Sequence, residues 1–253
     1  MTSSPSTTNF VPYARSRRRR KVIPIALEAV WLAHLRSLPS WEAPLRRTVI
    51  LSPHPDDETL GAGGLIAHLR CRKVDVDIIA ITDGENAYGG VPGLASVRER
   101  EQTDALAILG IEAARVHRLR IADSAVAPQE EQIIRHLRPL LKDAEQLVAP
   151  WPGDFHPDHE ATGRAARRLA TELGIPLVSY FFWTWHRGTP QLLQDLPLVS
   201  FQLPEDAQAL KRAALRCHRS QLIHPVTGTA EDAILPPYLL EPAWRPFEVF
   251  LPA

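Results

Sequence analysis

Cysteine stands at only two positions of this 253-residue sequence, Cys71 and Cys217, and lysine at only four. Two cysteines cannot build a disulfide framework, and no Cys-x-x-Cys spacing occurs. Any bound metal must therefore be held by histidine and carboxylate, and a reducing, cytoplasmic compartment is the expectation. Net charge is absent as well, 29 Lys and Arg balancing 29 Asp and Glu. The imbalance is local: residues 1–47 hold nine basic residues against two acidic ones, which leaves twenty against twenty-seven for residues 48–253. Beyond residue 47 the arginines are spread over expected helices without forming a polybasic face, so no nucleic-acid partner is expected. Long apolar runs are missing too. Val22–Leu35, after Arg17-Arg18-Arg19-Arg20-Lys21, is interrupted by Pro24, Glu28 and His34, is too short to span a membrane and is a poor signal peptide.

What is present suffices for one sizeable core, since 45% of the residues are hydrophobic. Residues 1–45 read as an N-terminal extension: a Ser/Thr/Pro-rich and then Arg-rich arm over 1–20, followed by an amphipathic helix near 25–38 carrying Leu27, Val30, Trp31, Leu35 and Leu38. Residues 46–253 form the expected catalytic domain. Strands are expected at 47–52, 74–82, 115–120, 146–150 and 176–184. Helices are expected at 59–70, 96–109, 130–141 and 205–221, and the tail from His224 reads as irregular with one edge strand at most. This alternation is that of an α/β fold with a mainly parallel sheet and helices on both faces, in which ligands bind at the carboxyl ends of the strands.

Four polar clusters fall at such ends: His54–Glu58, Asp83–Glu85, Asp123 and Asp154–His159. In the first, the apolar run Thr48–Leu51 gives way to Ser52-Pro53-His54-Pro55-Asp56-Asp57-Glu58. Unpaired carboxylates at a half-buried strand end cost several kcal/mol each, roughly, unless compensated. A divalent metal compensates them if His54 and Asp57 converge as ligands, leaving Asp56 to act on a water at the metal. A solvated acidic turn is the other reading of the same residues. His156-Pro157-Asp158-His159 repeats this vocabulary. One of its histidines completes a His/Asp/His set with an open fourth position. The other polarises a carbonyl or protonates a leaving group, with Asp158 orienting it.

These residues, with Leu60-Gly61-Ala62-Gly63-Gly64, Thr82-Asp83-Gly84-Glu85, Arg98, Glu101 and His218-Arg219-Ser220-Gln221, resemble the zinc-dependent N-acetylglucosaminyl deacetylase family, the group of the glycosylphosphatidylinositol-pathway and mycothiol-pathway deacetylases. The resemblance runs from about Thr48 to Gln221. It implies a Rossmann-like three-layer fold, Zn2+ on His54, Asp57 and His159, Asp56 as general base, and His156 as electrostatic partner of the tetrahedral oxyanion. The implied function is metal-dependent removal of an N-acetyl group from an N-acylated sugar or glycoconjugate, with Fe2+ or another divalent ion as alternatives to zinc. Substrate contacts are sought among Arg98, Asp83, Asp123, His218 and Gln221. Arg98 reads equally as an ion pair with Glu99 or Glu101, Asp83, Asp123 and Asp158 as partners behind the ligating histidines, and His218 and Gln221 as helix-capping residues. Trp183 and Trp185 read as sugar-stacking rings or as packing of an edge strand.

Three other readings compete. A nucleotide-binding module fits poorly, because Gly-x-Gly-x-x-Gly needs a small residue where Ile66 stands. A non-haem iron(II) enzyme would use the same two histidines and one carboxylate, but leaves the neighbouring carboxylate and the spare histidine without a task. A metal held for stability alone is the third.

Overall fold

The structure, a computed structural model, describes residues 21–253; the expected arm over 1–20 lies outside the described residues. A seven-stranded sheet has the order β3-β2-β1-β4-β5-β7-β6. Its strands are β1 (Thr48–Ser52), β2 (Val76–Ala80), β3 (Val116–Arg118), β4 (Gln146–Pro150), β5 (Leu177–Tyr180), β6 (Val199–Gln202) and β7 (Phe247–Pro252). The first five run parallel, and β7 is antiparallel to both β5 and β6. Every residue of β1, β2 and β4 is buried, which is why these strands read as continuous apolar runs. Side chains alternate across the pleat: Ile50 enters the core beneath helices α2 (Asp57–Cys71) and α3 (Leu94–Ile108), whereas Val49 and Leu51 enter the core beneath α4 (Glu130–Leu140) and α5 (Pro157–Leu173). Sheet and two helical layers make the expected three-layer α/β fold.

Several elements depart from the sequence reading. The strand expected to reach Thr184 ends at Tyr180, and the short helices α6 (Thr184–Arg187) and α7 (Pro190–Leu193) follow. The long late helix is two, α8 (Glu205–Leu215) and α9 (Arg219–Leu222). The tail strand is no edge strand, because β7 inserts between β5 and β6 with pairing on both sides. The N-terminal helix, α1 (Glu28–Leu35), buries Trp31 and Leu35 against Phe181, Trp185 and Val249. Trp31 donates its indole N–H to the Trp185 carbonyl at 2.8 Å, and Glu28 takes both Nε and Nη2 of Arg245 at 2.7 Å. Residues 39–41 continue the attachment, pairing their backbone with Ser200 of β6.

Helix α2 is broken at Ala62 (φ −142°). A Cβ on Gly61 would overlap the ring of Tyr180, and one on Gly64 would overlap Leu203 and stand 3.1 Å from a Glu248 oxygen. These glycines thus serve close packing. Glu248, from β7, accepts the N–H groups of Gly64 (2.7 Å) and Leu65 (2.8 Å) and so caps the second half of the helix. Lys211 bonds Glu248 at 2.7 Å and the Leu60 carbonyl at 3.0 Å, joining both halves of the break. The first half carries the acidic loop.

Candidate active site

Strand β1 stops at Ser52, whose hydroxyl oxygen lies within hydrogen-bond distance of both Glu58 and the His54 carbonyl. The loop then closes on itself, the Asp56 and Asp57 N–H groups donating to the His54 carbonyl while the His54 N–H donates to Asp57 Oδ2 at 2.8 Å. That same oxygen lies 3.1 Å from His54 Nδ1 and 3.2 Å from His159 Nε2. Residues 105 positions apart in part of this set therefore meet at one carboxylate oxygen, because β1 and β4 are neighbours in the sheet. His159 donates Nδ1–H to Asp154 at 2.9 Å, and its fully buried Nε2 has no hydrogen-bond partner. A buried, unpartnered nitrogen beside a carboxylate fits a metal ligand. Donor atoms of His54, His156 and His159 lie within 4.8 Å of one another, as do those of His54, Asp123 and Asp158.

The electrostatics point the same way. Burial works against a charged His54, but Asp123, Asp158 and Asp57 raise its pKa well above the usual histidine value. Burial is likewise overcome at His159 by Asp57 and Asp154, which push it up to about 9. Asp57 is held well below the usual carboxylate range, burial being outweighed by His159 and His54. The pocket of carboxylates thus calls for positive charge. Asp56 behaves differently: burial and Asp57 lift it to about 6 against the pull of Arg98, whose Nη2 stands 3.2 Å from Asp56 Oδ2. Burial together with His54 and His159 lowers His156 to about 3, so its imidazole is neutral. Its Nδ1 accepts the Asp158 N–H at 3.3 Å, which assigns the ring proton to Nε2.

A cavity of ≈ 70 Å³ opens over this cluster, lined on its polar side by His54, Asp56, Asp57, Arg98, Asp123 and His156. Gln221 and Ser124 also reach it, and Leu60, Ala87, Phe182, Trp183, Ile234 and Leu235 form the apolar wall. Tyr88 joins the two loops above that wall, donating its hydroxyl to the Ser220 carbonyl at 2.6 Å and accepting the Ile234 N–H at 3.1 Å.

Of the residues singled out in the sequence, Arg98 is buried and pairs with Asp56, while Glu101 is taken up by Ser220 and Glu99 by Arg118 and Arg120. Asp83 is engaged by Arg120 (2.6 Å) and Arg118 (3.6 Å), outside the residues that line the cavity. His218 is buried with Nε2 3.3 Å from Thr59 Oγ1, also outside the lining. The Asp158 carboxylate meets His54 Nε2 at 3.2 Å and the Ser124 N–H at 2.8 Å, so it orients His54 where the sequence reading had it orient His156. Trp183 lines the cavity and stacks on His156, whereas Trp185 is core. The sequence reading gave no role to Asp154, Glu58 or Gln102. Asp154 accepts from His159, from the Phe182 and Thr184 N–H groups and from the Thr184 hydroxyl. Glu58, raised to about 7 by burial, is held by Ser52 and Gln102. Gln102, Phe182 and Thr184 come from remote elements, so no local period marks these pairings.

A family profile described as PIG-L, GlcNAc-PI de-N-acetylase, matches residues 49–170. The chain is 30% identical over 230 residues to a 1D-myo-inositol 2-acetamido-2-deoxy-alpha-D-glucopyranoside deacetylase of Mycolicibacterium gilvum, a match covering 70% of this chain and 81% of that one. It is 29% identical over 140 residues to the diacetylchitobiose deacetylase of Thermococcus kodakarensis, covering 52% of each, so the chain spans about half the length of that relative. The solved structure of N,N'-diacetylchitobiose deacetylase from Pyrococcus horikoshii, 22% identical, superposes with a TM-score of 0.57 over 80% of this chain and 76% of that one, which shows a shared fold. With the paired His/Asp clusters at adjacent strand ends, these likenesses establish that the chain belongs to the PIG-L deacetylase family.

Proposed function

We propose that this protein is a metal-dependent amide hydrolase that removes the N-acetyl group from an N-acetylglucosamine-type sugar or conjugate. The observation that carries the reading is the meeting of His54 Nδ1 and His159 Nε2 at Asp57 Oδ2, with Asp56 next to them in the cavity wall. His54, Asp57 and His159 would hold the ion, zinc by the nature of a nitrogen-and-carboxylate donor set; when bound, it acidifies a water and polarises the acyl carbonyl.

Asp56 is the base. Arg98 holds its Oδ2, and Oδ1, which has no hydrogen bond among the described residues, takes the proton of the attacking water. A carboxylate with a pKa of about 6 is basic enough to accept that proton near neutrality and acidic enough to return it to the departing amine. His156, neutral and protonated on Nε2, donates to the oxyanion that develops on the former carbonyl oxygen. The cavity of ≈ 70 Å³ has room for several waters, and so for an acetamide, while the rest of the substrate lies at the mouth against Trp183. Arg98, Asp123 and Gln221 are the polar groups that meet the sugar there.

The test is amine release from a panel of N-acetylglucosamine conjugates, with chelator and after zinc is restored. Release that the chelator abolishes and zinc recovers is the expected result. No release from any conjugate by the metal-loaded protein would overturn the reading.

A further inference from the structure

Phe155 has φ +55°, in the left-handed region that a bulky side chain rarely enters. Such a conformation persists only where the surroundings hold it, and it concentrates at active sites. The next residue is His156, which opens α5 as its N-cap and whose ring the proposed reaction uses at the oxyanion. Packing does little of the holding, because the Phe155 side chain is 36% exposed. The Phe155 carbonyl instead accepts Arg187 Nη1 at 2.6 Å. Arg187, the last residue of α6, makes a second contact: its guanidinium carbon lies 4.5 Å from the centroid of the Trp183 ring. Trp183 is in turn stacked on His156, with ring centroids 5.9 Å and planes 21° apart. One cation thus touches both the carbonyl that precedes His156 and the ring stacked on it. The two loops are tied in the other direction as well, since Asp154 accepts the N–H groups of Phe182, Trp183 and Thr184. Arg187 itself is not among the residues that line the cavity.

We infer that Arg187 is a positioning residue for His156, holding the Phe155 turn and the Trp183 ring so that the imidazole meets the developing oxyanion. The inference rests on the role proposed above for His156. A donor fixed before the reaction needs no reorganisation as charge develops, whereas one left to swing must first be brought back. Arginine suits both contacts at once, because its flat, permanently charged fork covers an indole while donating within its own plane. Lysine keeps a donor but not the flat cover. The rest of the site is held by other means: His159 is set by Asp154, and Asp56 is paired with Arg98.

Arg187→Gln and Arg187→Lys in the full-length, metal-loaded protein test it, each alone and combined with His156→Ala, with kcat and KM measured on an N-acetylglucosamine conjugate that the wild type hydrolyses. Arg187→Gln should lower kcat roughly tenfold to a hundredfold, the order of cost of a misplacement of about 1 Å, with KM and metal content kept. Arg187→Lys should recover part of that loss. In the His156→Ala background, Arg187→Gln should change kcat by less than about twofold, because the group it aims is gone. The full loss in that background would mean that Arg187 supports the fold and not His156, and a raised KM with kcat kept would make it a substrate contact. Either result, or an unchanged kcat, overturns the inference and leaves the reaction standing. Chymotrypsin, which cuts after phenylalanine, gives a reading independent of turnover. Native Arg187→Gln protein should be cut after Phe155 faster than the wild type, and equal rates would show that Arg187 does not hold the turn. A wild type inactive on every conjugate would overturn the reaction, and this inference with it.

Discussion

Asp154 accepts the Nδ1–H of His159 at 2.9 Å, and neither side chain has any solvent exposure. The same carboxylate takes backbone N–H groups of Phe182 and Thr184, so the turn after β5 fixes the orientation of a histidine on α5. Asp154→Asn keeps the shape but can leave the His159 ring in the wrong tautomer. Metal affinity should fall roughly 10–100-fold, the usual cost of losing a partner behind a ligating histidine. Metal titration by calorimetry checks this, with circular dichroism to show that the fold is kept.

Asp56 and Asp57 are adjacent yet should fail differently. Asp56→Asn retains the loop and the metal but cannot accept a proton, so turnover should drop roughly 10²–10⁴-fold with substrate binding kept. Asp57→Asn loses the oxygen where His54 and His159 meet, and elemental analysis should find it depleted of metal. Metal loss in the Asp56 variant would move the base to another residue.

Lys211 and Glu248 are both buried, and the pair spans the break in α2. Lys211→Met leaves Glu248 charged and unpaired, which should cost about 3–5 kcal/mol. Adding Glu248→Gln removes that charge while keeping an acceptor for the Gly64 or Leu65 N–H, and should recover part of the loss. Urea unfolding of both variants decides; a double variant as unstable as the single would mean that the cost is packing.

Acid should weaken the fold through two histidines kept neutral inside it. Burial lowers His186 to about 4 and His218 to about 3, from an ordinary 6.5. Unfolding lets both bind protons, so their contribution is full above about pH 6.5 and is lost as the pH falls toward the folded values. His186→Gln should therefore flatten the decline of the urea midpoint between about pH 6.5 and about pH 4, measured on the metal-free protein. An unchanged slope would assign the acid sensitivity to His218 or to the carboxylates of the cavity.

Local signals carried the sequence reading far. Alternating apolar strands and periodic helices sufficed for the parallel half of the sheet, and β4 falls where it was expected, at residues 146–150. The loop from Ser52 to Glu58 carries its chemistry within seven residues, closed by its own hydrogen bonds, so His54, Asp56 and Asp57 could be named from adjacency alone. Non-local pairing decided the rest. Nothing periodic in Phe247–Pro252 tells it to enter the sheet between β5 and β6, or tells Glu248 to cap a helix 184 residues away. The burial of Trp31 against Trp185 and the turn of Asp158 toward His54 likewise depend on which elements become neighbours. Residue types and spacing determine what chemistry a loop can do; the sheet order determines which buried groups surround it, because a carboxylate or histidine is charged, neutral or a ligand only in relation to the partners that the fold brings within about 3 Å.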